Sequence, residues 1–138
     1  MNKILYTAVA TALGGRSGHV ATDDGNISQD LASPGGPQPA GKTNPEQLFA
    51  SGYSACFGSA LEHVARQKHV TVSTVQVTAH VMLGTTEAGG YALAVKLVVK
   101  LAGVSLEVAQ QLADAAHQVC PYSHATRGNI PVEISVEV

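Results

Sequence analysis

The stretch from Asn44 to Val64 constrains the fold more than any other part of the chain. Asn44 is a good helix N-cap, Pro45 suits the first helical position, and Gln47 stands three residues after the cap, the spacing of a capping box. Phe49, Tyr53, Cys56, Ala60 and Val64 then recur at four, seven, eleven and fifteen residues, which puts them on one helical face. An apolar helix face must be buried against another element. Cys56, one of only two cysteines, lies on that face.

What surrounds the helix is mostly strand. Lys3 to Leu13 is rich in β-branched and small apolar residues and reads as a first strand. Gly14-Gly15-Arg16-Ser17-Gly18 is a turn built around one arginine. His19–Thr22 and Ile27–Leu31 read as a hairpin joined at Asp23-Asp24-Gly25-Asn26. Residues 33–43 hold three prolines and three glycines, an ordered loop or lid. Gly52 and Gly58 each cost a straight helix about 1 kcal/mol against alanine, so a break is expected at one of them. Val70–Leu83 reads as a strand, turned by Glu87-Ala88-Gly89-Gly90. Tyr91, Leu93, Val95, Leu97, Val99 and Leu101 alternate as the next. Ser105 caps a second helix whose face is Ala109, Leu112, Ala113, Ala116 and Cys120, and Pro121 stops it. Val132 to Val138 alternates as a last strand. This order predicts a single α+β domain over 1–138, with antiparallel sheet packed on two helices.

Composition narrows the function. A net charge of −2 gives no electrostatic case for nucleic acid, and no run of eighteen apolar residues offers a membrane span. Only 13% of residues are charged, which fits a surface partly covered in an oligomer. Met1-Asn2-Lys3 and the following apolar run superficially imitate a signal peptide, but the run is short and the segment before it carries only one charge, so a strand is the better reading. A cytoplasmic chain is then expected, where two cysteines are more often catalytic or redox-active than structural.

Both cysteines fall on apolar helix faces that a shared sheet can bring together. On residue types alone, two buried and unreactive thiols remain an equal alternative. Reactivity needs thiolate, and a buried thiol resists ionising unless a cation or hydrogen-bond donor sits beside it. Arg16, in its glycine turn, is the first candidate and Arg127 the second, each with an exposed loop arginine as the alternative. Glu46 could hold the arginine in a bidentate pair, or simply favour the helix dipole. Ten residues of unbroken helix would put Glu46 and Cys56 about 15 Å apart along the axis, so a shared arginine would require a bend, placed at Gly52. His63 is too far along the helix to serve as a base for Cys56, and His117 and His124 read as surface residues. No His, Asp or Glu stands at zinc-like spacing from the cysteines, so no metal is expected.

Three blocks are then recognisable: Gly14-Gly15-Arg16-Ser17-Gly18-His19; Asn44-Pro45-Glu46-Gln47-Leu48-Phe49-Ala50 with Gly52-Tyr53 and Ala55-Cys56-Phe57; and Val119-Cys120-Pro121-Tyr122-Ser123 with Ala125-Thr126-Arg127-Gly128-Asn129. Together they closely resemble the organic hydroperoxide resistance proteins, thiol peroxidases of the osmotically inducible protein C superfamily. The resemblance implies an intertwined homodimer. It matches Cys56 to the peroxidatic cysteine, Cys120 to the resolving one, and Arg16 and Glu46 to the pair that activates Cys56. It implies reduction of organic hydroperoxides, those of fatty acids included, with no bound cofactor and with recycling by dihydrolipoamide on lipoylated proteins. Phe49 and Tyr53 would line an apolar substrate pocket, with Phe57 better read as core, and the 33–43 loop could cover it. Two other readings stand beside this one: a non-catalytic binding module for an apolar ligand or redox partner, and a Cys–His acyl transferase or hydrolase.

Overall fold

A computed structural model describes residues 1–138. The chain is α+β and forms two compact units, Met1–Leu48 and Phe49–Val138.

The first unit is a four-stranded sheet in sequential order: β1 (Ala10–Leu13), β2 (His19–Thr22), β3 (Ser28–Leu31) and β4 (Lys42–Thr43). β1–β2 and β2–β3 are antiparallel, whereas β3–β4 is parallel. The first strand is shorter than expected and begins at Ala10 rather than Lys3. A strand needs a neighbour, and the only backbone bond that residues 1–9 receive is from Asp23 N–H to the Val9 carbonyl. Ile4, Leu5 and Tyr6 are left fully exposed to solvent.

The expected β2–β3 hairpin is present. The Asp24 carboxylate accepts from the Thr22 hydroxyl (2.7 Å) and the Asn26 N–H (2.9 Å), which closes the turn at Gly25. The loop that follows is ordered by its own side chain: Gln38 Nε2 donates to the carbonyls of Ala32 and Thr43, both at 3.1 Å.

The glycine turn between β1 and β2 is a single 3-10 turn, Gly15–Ser17, with Arg16 at its centre. Gly14 (φ +83) and Gly15 (φ +58) occupy the left-handed region that β-carbons disfavour. Gly18 is required for space, since a Cβ there would lie 1.7 Å from the Leu13 carbonyl oxygen.

α1 (Pro45–Gln67) starts where its cap predicts. The Gln47 N–H donates to Asn44 Oδ1 at 2.8 Å, and the Thr43 hydroxyl donates to Gln47 Oε1 at 3.0 Å. The helix then runs unbroken through both Gly52 and Gly58, so the expected break into two helical pieces does not occur.

The second unit holds a three-stranded sheet, β5 (Thr74–Thr85), β6 (Tyr91–Ala102) and β7 (Val132–Glu137), with α2 (Leu106–Val119) and α3 (Pro121–Thr126). β5 and β6 pair antiparallel from Thr74↔Ala102 to Thr85↔Tyr91, whereas β7 joins β6 in parallel, a pairing that periodicity does not reveal. β5 begins four residues later than its apolar pattern suggests.

Val95, Leu97, Val99 and Leu101 of β6 are all buried. They form one core with Tyr53, Phe57, Leu61 and Val64 of α1 and Ala109, Leu112, Ala113 and Ala116 of α2. Each large side chain buried there contributes about 1.5–3 kcal/mol relative to exposure. Ser105 Oγ caps α2 by accepting from Val108 N–H at 3.2 Å. Pro121 ends α2 as expected and also opens α3, where its fixed φ suits the first position.

Candidate active site

The two cysteines, 64 residues apart in sequence, converge. Cys56 is carried on the apolar face of α1. Cys120 sits in extended backbone (φ −65, ψ 124) as the C-cap of α2 and the N-cap of α3. Their Sγ atoms are 3.6 Å apart, and both are free thiols. A disulfide is about 2.05 Å long, so the sulfurs touch without being bonded and need approach by only about 1.5 Å to bridge. Cys120 is fully buried, while Cys56 is half-buried. Burial pushes the Cys56 thiol above its ordinary value and Cys120 adds to the rise, while the Tyr122 backbone N–H favours the thiolate without prevailing. None of these three influences is a cation.

An aromatic cluster flanks the pair. The Tyr122 ring packs 5.5 Å from Tyr53 and 5.9 Å from Phe49 between centroids, the latter edge to face. This packing explains Gly52. A Cβ at that position would come within 2.4 Å of Tyr122 Oη, so the glycine makes room for the tyrosine and does not break the helix. Tyr53 is fully buried, and so is Phe57, in line with its core reading. Phe49 is half-buried and lines an open groove of about 420 Å³ with Tyr91, Leu93 and Ile130.

The second element of chemistry lies in the first unit. Arg16 grips Glu46 with both nitrogens, Nη1 to Oε2 at 2.8 Å and Nη2 to Oε1 at 2.6 Å. This is the planar fork pairing that arginine makes with a carboxylate. Glu46 stands in the first turn of α1 and its side chain is only 12% exposed, against 41% for Arg16. The Arg16 hydrogen bonds hold the Glu46 carboxyl below the usual carboxylate range, and Glu46 raises Arg16 in turn. The guanidinium is therefore oriented and permanently charged.

The remaining sequence candidates go elsewhere. Arg127 donates to the His117 carbonyl and so bridges α3 to the end of α2. His63 and His124 are exposed. His117 is not a surface residue as expected. It is half-buried, its Nδ1 lies 2.8 Å from Ser123 Oγ, and burial first, then the nearby Arg127 charge, hold its pKa below the ordinary histidine value. Sequence reasoning also missed Ser123 and Thr126, which are buried against the Tyr53 hydroxyl at 2.9 and 3.1 Å. Their spacing of three residues immediately after Pro121 was the available signal, since it is the periodicity of a helix face.

Comparison with known proteins bears on this arrangement. A family model described as OsmC-like protein matches residues 36–135. Organic hydroperoxide resistance protein OhrA of Bacillus subtilis is 51% identical over 141 residues, covering 99% of both chains. OhrB of the same organism is 45% identical over 135 residues, covering 96% of this chain and 98% of its own. Among solved structures, an organic hydroperoxide resistance protein of Legionella pneumophila superposes with a TM-score of 0.92 at 48% identity, covering 99% of this chain and all of the other.

Proposed function

We propose that this chain, which belongs to the OsmC-like family as one of its organic hydroperoxide resistance proteins, is a two-cysteine thiol peroxidase that reduces organic hydroperoxides to alcohols. The observation that carries the reading is the 3.6 Å separation of the Cys56 and Cys120 sulfurs. Two thiols that merely fill a core have no need to meet. Two that must trade a sulfenic acid for a disulfide do.

The steps follow from the chemistry of the groups. The Cys56 thiolate attacks the outer oxygen of ROOH. The O–O bond breaks, the departing alkoxide takes a proton and leaves as ROH, and Cys56 becomes a sulfenic acid. The Cys120 sulfur then attacks Cys56 Sγ. Hydroxide departs as water with the Cys120 proton, and the S–S bond forms before further oxidation. A dithiol reductant restores both thiols by exchange, and we assign this role to dihydrolipoamide on lipoylated proteins.

The raised pKa of Cys56 sets the main requirement. A neutral thiol is a poor nucleophile, and burial holds Cys56 neutral. A cation must supply the difference, and Arg16, aimed by Glu46, is the group we assign to it. The guanidinium would stabilise the thiolate and then the negative charge growing on the departing oxygen. Phe49 and Tyr53 are the residues assigned to the greasy R group. The half-buried Phe49 in its groove supports this more directly than the enclosed Tyr53.

Cys120→Ser separates the steps. The variant should react with one equivalent of cumene hydroperoxide at the normal rate and then stop as a Cys56 sulfenic acid that dimedone traps. Continued turnover with dihydrolipoamide at the wild-type rate would remove Cys120 from the reaction.

The assembly is proposed to be an intertwined homodimer. Ile4, Leu5, Tyr6 and Val9 precede a strand with no further neighbour in its own chain, and Tyr91 is also exposed. An apolar N-terminal segment of this kind is covered when it adds to a second copy. Light scattering should give twice the chain mass of 14.1 kDa; a monomer at micromolar concentration would contradict the arrangement. No helix is long and apolar enough to cross a membrane, and a cytoplasmic site of action, where thiols stay reduced, suits the chemistry.

A non-catalytic binding module remains the competing reading. The open groove beside Phe49 favours it, and it predicts an unchanged thiol titre after exposure to hydroperoxide.

A further inference from the structure

A chain of buried hydrogen bonds runs between the helices that carry the two thiols. His117 Nδ1 lies 2.8 Å from Ser123 Oγ, Ser123 Oγ 2.9 Å from Tyr53 Oη, and Tyr53 Oη 3.1 Å from Thr126 Oγ1; Thr126 Oγ1 donates to the Ser123 carbonyl at 3.2 Å. Each hydroxyl has one hydrogen, so the last bond orders all the others. Thr126 has spent its proton on the carbonyl and accepts from Tyr53. Tyr53 has then spent its own and accepts from Ser123. Ser123 in turn accepts from His117, whose Nδ1 carries the proton. No buried side-chain oxygen or nitrogen is left without a partner. Ser123 and Tyr53 are fully buried and Thr126 is 4% exposed, so these hydroxyls have no water to replace a lost bond.

The placement of this chain is its significance. Tyr53 stands three residues before Cys56 on α1, one helical turn away. Ser123 stands three residues after Cys120 on α3. The Tyr53–Ser123 bond therefore ties the two thiol-bearing segments together about one turn from the sulfurs. The His117–Ser123 bond spans the hinge at Cys120-Pro121, and the Arg127 bond to the His117 carbonyl spans it again. Fully satisfied buried networks of this kind fix geometry, because every alternative arrangement orphans a polar group.

We propose that Ser123, bonded to Tyr53 on one side and His117 on the other, is a positioning residue that holds Cys120 against Cys56 for disulfide closure. It touches neither sulfur nor substrate and acts only by keeping the hinge at the angle that gives the 3.6 Å separation. The step it serves is the second one: Cys120 sulfur on Cys56–S–OH, with S–S forming, S–O breaking and hydroxide leaving as water with the Cys120 proton. The first step, attack of Cys56 on the peroxide, does not use the hinge. This proposal rests on the two-cysteine reading for its kinetic consequence, but not for its equilibrium one. Sulfurs held in contact have a high effective concentration toward each other, which makes their disulfide harder to reduce.

The test is Ser123→Ala, which leaves Tyr53 without its donor and the His117 Nδ1–H without its acceptor. Reduced wild type and variant are mixed with one equivalent of cumene hydroperoxide. Sulfenic acid is trapped with dimedone and disulfide is counted by mass. In the variant we expect sulfenic acid to form at the wild-type rate and disulfide closure to slow at least tenfold. Equilibration in dithiothreitol redox buffers, which needs no peroxidase activity, should give a disulfide at least tenfold easier to reduce, a potential about 30 mV less negative. His117→Leu breaks only the bridge across the hinge, so it should shift both readouts in the same direction by less, and it serves if Ser123→Ala does not fold. Wild-type closure rate and potential in folded variants would overturn the proposal. Equal slowing of both steps with an unchanged potential would also overturn it, as the mark of a general loss of structure. If the wild type consumes no hydroperoxide, the peroxidase reading fails by itself, and the potential still decides the role of Ser123.

Discussion

Cys56→Ser is expected to abolish hydroperoxide consumption while leaving the fold intact. Serine is nearly isosteric with cysteine, and Cys56 is only half-buried, so the core loses little. The chemistry loses everything, because a serine hydroxyl neither ionises near neutral pH nor forms an isolable S–OH intermediate. Stopped-flow mixing with cumene hydroperoxide should show no loss of peroxide above the buffer rate and no loss of the remaining Cys120 thiol. Consumption at even a tenth of the wild-type rate would move the attacking atom away from Cys56.

The second large effect is expected of Arg16→Ala. Arg16 is exposed and contributes nothing to the apolar core, so the fold gives up only its ion pair with Glu46, which stays anchored on α1. The rate of Cys56 oxidation should fall by about a hundred- to a thousand-fold, the scale of losing one preorganised charge at a developing anion. The measurement is the second-order rate of sulfenic acid formation across pH 6 to 10. The variant should recover part of its rate as pH rises and hydroxide ionises the thiol that the guanidinium no longer stabilises. A change of less than threefold at neutral pH would take Arg16 out of the reaction and leave the thiol without an activator among the assigned residues.

Local signals carried most of the secondary structure. The Asn44 and Ser105 caps, the Asp-Gly turn at Asp24 and the alternation of β6 each depend on a few neighbouring residues, and all stand where the pattern puts them. Tertiary needs override the rest. Gly52 looks like a helix break because its local cost is all that a sequence displays; its compensation is Tyr122, seventy residues away. β1 stops short because strand pairing depends on a neighbour that periodicity cannot count. The parallel joining of β7 to β6 is likewise a long-range choice.

The candidate site divides in the same way. The blocks around Arg16, Glu46, Cys56 and Cys120 were legible as residues, and the Arg16–Glu46 fork was legible as chemistry. That the cysteine-bearing faces could be brought together was legible, but the 3.6 Å separation of the sulfurs was not. The polar chain through His117, Ser123 and Tyr53 was not seen at all. Serine, threonine and histidine read as surface residues unless a helix face turns them inward, here the six-residue α3 for Ser123 and Thr126 and the end of α2 for His117.

The central claim is that Cys56 and Cys120 are partners in one redox cycle, and peptide mapping by mass spectrometry tests it most directly. Reduced protein is treated with one equivalent of cumene hydroperoxide per chain, quenched with an alkylating agent and digested without reductant. The account predicts a peptide pair linked through Cys56 and Cys120 of the same chain, two thiols lost per peroxide consumed, and reversal by dihydrolipoamide. Recovery of both cysteines alkylated and unlinked, with the peroxide intact, would contradict it.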